Sequence, residues 1–131
     1  MAPEELYKEW LKKAEEDFGF ACITLADPAI TYYAQICFHF QQAAEKYLKA
    51  YIVAHELEFK KIHDLTELLR ICSNHLANLN KLNDACAFLT DFYIDTRYPV
   101  HWPSNISKNE ALQAESEARK IKDTIIQAIG L

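Results

Sequence analysis

A chain of 131 residues, half of them apolar and 12% aromatic, has enough material for one core and is neither disordered nor fibrous. Its formal net charge of −5 excludes a broad basic surface for coating nucleic acid, although a small local basic site is compatible with it. Two glycines and four prolines leave few turns for a β-rich fold, so the composition points to one helical domain over residues 1–131.

Five helical segments follow in chain order. The first starts at Pro3, a suitable first helical residue, with Glu4 and Glu5 where the helix dipole favours anions. Leu6, Trp10, Ala14, Phe18, Ala21 and Leu25 then recur at three- and four-residue steps along one face. Asp27-Pro28 ends this helix and opens a second, predicted from about Pro28 to His55. It is apolar on most sides, with Ile30, Tyr33, Ala34, Cys37, Phe38, Ala44, Leu48 and Ile52, so it is either central or faces a partner. Tyr32, Phe40, Tyr47 and Tyr51 fall on sides that one core is not expected to cover, which predicts a symmetric dimer.

Asp64 with Glu67 has the capping-box pattern and opens a third helix on Leu65, Leu68, Leu69 and Cys72. The pattern relaxes from His75 to Asn80. A fourth helix is predicted from about Lys81 to Asp95 on Leu82, Cys86, Leu89 and Tyr93. Two prolines then enforce a loop through Arg97-Tyr98-Pro99-Val100-His101-Trp102-Pro103-Ser104-Asn105. Ser107 with Glu110 is a second capping box, opening a last helix with Ala111, Ala114, Ala118, Ile121, Ile125 and Ile129 in its stripe and Gly130 at its end. The natural arrangement is an all-α, antiparallel up-and-down bundle of four to five helices.

No stretch is long and apolar enough to span a bilayer, and the acidic N-terminus lacks the basic and apolar regions of a signal peptide. The expectation is a cytoplasmic protein without membrane contact. Cys22, Cys37, Cys72 and Cys86 form no metal-binding spacing and lie in apolar helical stretches, as small buried hydrophobes do. Neither a metal nor a cofactor is expected.

Three features exceed what a bundle needs. Gln41, Gln42, Glu45, Lys46 and Lys49 put a polar run into the most apolar helix, with Gln42, Glu45 and Lys49 on one face. That face is either a solvated stripe or the lining of a cleft. His63 beside Asp64 either bonds a backbone carbonyl or moves a proton. Arg97, Tyr98 and His101 share a proline-stiffened aromatic loop, where an Arg either pairs with the preceding helix end or grips phosphate.

The order of these features resembles the HEPN family. The resemblance is carried by Trp10-Leu11-Lys12-Lys13-Ala14-Glu15-Glu16-Asp17, by Phe40-Gln41-Gln42-Ala43-Ala44-Glu45-Lys46, by His63-Asp64-Leu65 and by Arg97-Tyr98-Pro99 after Leu89-Thr90-Asp91-Phe92-Tyr93. It implies a helical bundle that forms a homodimer with a cleft at its interface. It also implies a nucleotide or RNA ligand and, as partner, a minimal nucleotidyltransferase subunit in a toxin–antitoxin pair. Under it Arg97 would hold phosphate, His101 and His63 would be polar or proton-moving groups, and Gln42, Glu45, Lys49 and Tyr98 would line the nucleotide site.

Catalytic members are metal-independent RNases with an Arg, four to six residues and a His; there the pair would be Arg97 and His101. Here only three residues separate them. Arg70 and His75 have the required spacing but belong to the third helix. The remaining reading is a purely structural dimer subunit with no ligand.

Overall fold

The computed structural model describes residues 3–94 and 105–130. Among them are five α-helices, one 3₁₀ turn and no strand, an antiparallel up-and-down bundle. Helix α1 (Pro3–Ala26) buries Leu11, Ala14, Phe18, Ala21 and Leu25, one residue every three or four, chiefly against α2 (Tyr33–Ala54). Leu6, placed in this stripe by spacing, stays 38% exposed because the packed face starts a turn later.

Helix α2 begins at Tyr33 rather than Pro28. The Asp27 carboxylate accepts from the Ala29 amide (2.9 Å) and the Asp27 carbonyl from the Ile30 amide (3.0 Å), which folds residues 27–30 into a turn. Once started, α2 is the centre of the bundle, packed on by α1, α5, α3 and α4. This corrects the expectation drawn from its aromatics. Phe40, Tyr47 and Tyr51 are at most 1% exposed within the single chain, and of the four only Tyr32, at 72%, faces out. Four helices around a fifth cover sides that a smaller bundle would leave bare.

Helix α3 (Leu65–His75) starts on Asp64, whose carboxylate accepts from the Thr66 and Glu67 amides. The box is only half formed, because Glu67 takes Arg70 and Lys60 as partners instead of the cap backbone. A 3₁₀ turn (Ala77–Leu82) replaces the relaxed stretch and leads into α4 (Asn83–Thr90). Helix α4 stops at Thr90, short of the expected Asp95. The Thr90 hydroxyl accepts from the Leu65 amide at 3.0 Å, and the Phe92 amide closes a turn onto the Leu89 carbonyl. The end of α4 is thereby fastened to the start of α3.

Helix α5 (Lys108–Ile129) has the complete Ser107–Glu110 capping box and ends on Gly130 at φ 96°, a left-handed position that glycine tolerates. Ala111, Ala114, Ala118, Ile121 and Ile125 are fully buried, and the three alanines let the helix lie close to its neighbours. Cys37, Cys72 and Cys86 are buried free thiols that burial pushes up to about 12, so they are packing groups rather than nucleophiles. No helix among the described residues is long and apolar enough to cross a membrane.

Candidate functional site

Residues 41, 45 and 49 of α2 are spaced four apart, so Gln41, Glu45 and Lys49 share one face. That face is neither a solvated stripe nor an open groove. Gln41, Glu45 and Lys49 are 0%, 3% and 5% exposed. A buried charge is tolerated where it is paired and hydrogen-bonded, and here each charge has a partner. Glu45 Oε2 accepts from Lys49 Nζ at 2.9 Å. Glu45 Oε1 faces His63 Nδ1 at 2.8 Å and accepts more distantly from Gln42 and Gln41. The Lys49 ammonium also lies 5.7 Å from the ring centres of Trp10 and Phe59, whose faces attract a cation.

The network continues outward. Gln42 Nε2 donates to Gln41 Oε1 (2.8 Å), and Gln41 Nε2 donates to the backbone carbonyl of His63 (3.1 Å). The His63 ring stacks on Tyr93 with centroids 3.9 Å apart and planes 14° from parallel. Beside this stack is a hollow of about 320 Å³ lined by His63, Asp64, Thr90, Asp91 and Tyr93. A chain of polar contacts thus runs from the buried Lys49 to an exposed imidazole.

Of the residues singled out by sequence, Gln42, Glu45, Lys49 and His63 meet in this cluster. Arg97, Tyr98 and His101 lie outside the described residues. Lys46 belongs to a separate group on another side of α2, where it and His39 both bond the Asp17 carboxylate. Burial raises the Asp17 carboxyl, but the His39 and Lys46 hydrogen bonds and charges outweigh it and hold the group below its usual 3.8. Gln41 is named from the sequence only within the polar run, not on the face of Gln42, Glu45 and Lys49, although its four-residue step to Glu45 is the available signal; Tyr93 is assigned there only to the fourth helix. Nothing local marked Tyr93 as a neighbour of His63; it stands three residues beyond the end of α4.

Arg70 and His75 border a different hollow, of about 340 Å³, with Leu57, Glu58, Ile71 and Asn74. The Arg70 guanidinium forks onto Glu67 (3.0 and 2.7 Å), and the Tyr51 hydroxyl lies 2.6 Å from His75 Nδ1. With both groups engaged, this pair offers a poor grip on an anion. Among the described residues no group of three or more His, Cys, Asp or Glu side chains is arranged to hold a metal ion.

Comparison with known proteins gives this geometry its context. The HEPN domain family matches residues 7–128. The crystal structure of TT1696 from Thermus thermophilus is 28% identical, with a TM-score of 0.78 over 92% of this chain and 96% of that one. The crystal structure of ST0689, an archaeal HEPN homologue, is 26% identical, with a TM-score of 0.74 over 94% of this chain and 97% of that one. No curated protein matches. With its bundle shared by both solved structures and the family match running from Tyr7 to Ala128, the chain belongs to the HEPN domain family.

Proposed function

We propose that this HEPN protein binds a nucleotide or an RNA phosphate in a cleft between two copies of the chain. It acts in the cytoplasm beside a minimal nucleotidyltransferase, as half of a toxin–antitoxin-type pair. The observation that carries the binding reading is the buried Gln41–Glu45–Lys49 network that ends on the His63–Tyr93 stack. Stability alone does not require a charge pair in the centre of α2, and replacing such pairs by apolar groups is often neutral. Its outer end supplies a ring platform and polar atoms, the two things nucleotide recognition uses. Arg97 follows Tyr93 by four positions in sequence and provides the phosphate fork, with Tyr98 and His101 beside it in the chain.

Support for the dimer comes from α1 rather than from α2. Phe20 and Ile23, one turn apart, are 52% and 74% exposed, and an isologous contact would cover them in both copies. Sedimentation velocity at micromolar concentration is expected to show the dimer, and a monomer counts against it.

The binding reading is tested by titrating ATP and a short RNA at low salt into wild type, Arg97→Ala and Arg97→Lys. The planar guanidinium forms a bidentate fork that an ammonium does not copy, so both variants are expected to lose affinity to nearly the same extent. Titrations unchanged in both variants would remove Arg97 from the site. A nucleotidyltransferase gene adjacent to this one is the expected genomic arrangement for the partner.

A further inference from the structure

His63 stands in the connection between α2 and α3 with 46% of its side chain exposed, a setting in which an imidazole ordinarily turns freely. Here it is held three ways. Gln41 Nε2 donates to its carbonyl, Glu45 Oε1 lies 2.8 Å from Nδ1, and Tyr93 lies flat against the ring. Glu45, ion-paired with Lys49 at 2.9 Å, acts as an acceptor, so Nδ1 carries the ring hydrogen. Nε2 is left with its lone pair, able to accept a hydrogen bond from outside the chain. The same hollow is lined by Asp64, Asp91 and Thr90, with Asp64 Oδ1 already accepting from Thr66 and Glu67. Two carboxylates and a bare imidazole nitrogen repel phosphate and favour a neutral group rich in donors. A vicinal diol is such a group, and carboxylates are established partners of ribose hydroxyls.

Resting on the nucleotide reading above, we propose that the His63 hollow takes the ribose of the ligand, with Nε2 accepting from a ribose hydroxyl and Glu45 acting as the positioning residue for the ring. The phosphate end of the ligand then lies away from this hollow.

Two experiments decide it. In nitrogen-15 NMR of the wild-type protein at about pH 8.5, where an ordinary imidazole is neutral, His63 is expected as the Nδ1–H tautomer. Free histidine prefers Nε2–H, so finding that form in the protein would overturn the assignment. Replacing the whole ion pair, Glu45→Met with Lys49→Met, removes the acceptor without stranding a buried charge and is expected to return His63 toward Nε2–H. A tautomer that does not change in that variant would overturn the role of Glu45.

In calorimetric titrations, ATP and a short RNA are each compared with their deoxy counterparts. Losing one hydrogen bond to the hydroxyl is expected to weaken binding about tenfold, and His63→Ala should abolish the difference between the two sugars. Equal affinities for both sugars in both ligands would overturn the ribose assignment and leave the nucleotide reading standing. Absence of binding by every one of these ligands would remove both.

Discussion

The sharpest quantitative consequence concerns Lys49. Methionine matches the lysine stem in length and apolar character, so Lys49→Met removes the ammonium without opening a cavity. What remains is Glu45, 3% exposed, with no donor on Oε2. Removing one partner of a buried pair costs about 3–5 kcal/mol, because the other charge stays desolvated. Glu45 Oε1 still has His63, Gln42 and Gln41 around it, which places the cost at the lower end, about 3 kcal/mol. At roughly 4 °C per kcal/mol for a chain of this size, the melting temperature should fall by about 12 °C. The assay is urea denaturation followed by circular dichroism on wild type, Lys49→Met, Glu45→Met and the double variant. The double variant removes both charges and is expected within about 1 kcal/mol of wild type, well above either single change. A Lys49→Met midpoint equal to wild type, or a double variant weaker than both singles, would refute the account of this pair.

Ile121 is fully buried in the middle of the α5 stripe, so Ile121→Ala is expected to cost about 2–5 kcal/mol in the same urea assay. Ser107→Ala removes the half of the α5 capping box in which Oγ accepts from the Glu110 amide, keeps the Ser107 amide that donates to Glu110, and is expected to cost about 1 kcal/mol, read from the thermal midpoint. The Asp17 carboxyl sits below 3.8 in the folded chain, so its contribution is complete above that unfolded value and is lost as pH falls through the lower folded one. Asp17→Asn should therefore be less stable than wild type at about pH 5, and the gap should close on further acidification in pH-dependent urea melts.

Much of the bundle is local information. Helix α5 is legible because its cap, its small-residue stripe and its terminal glycine all lie within one segment, and each acts through neighbours three or four residues away. The stripe of α1 and the face shared by Gln42, Glu45 and Lys49 are legible for the same reason. Periodicity states which residues point the same way. It does not state what covers them. The polar face of α2 was equally consistent with solvent or a cleft, and the enclosing helices with the Trp10 and Phe59 rings made it a buried ion pair. Phe40, Tyr47 and Tyr51 read as surplus aromatics until four helices closed around them. Glu67 had the position for a reciprocal cap, yet Lys60 and Arg70 compete for the same oxygens. The Tyr93–His63 stack had no sequence signal at all, because it joins the segment before α3 to the segment after α4. Sequence determined which segments are helical and the faces they present, but not where α2 begins or α4 ends. Contacts between segments distant in the chain decided which faces were buried and which side chains met, since short-range periodicity carries no information about long-range packing.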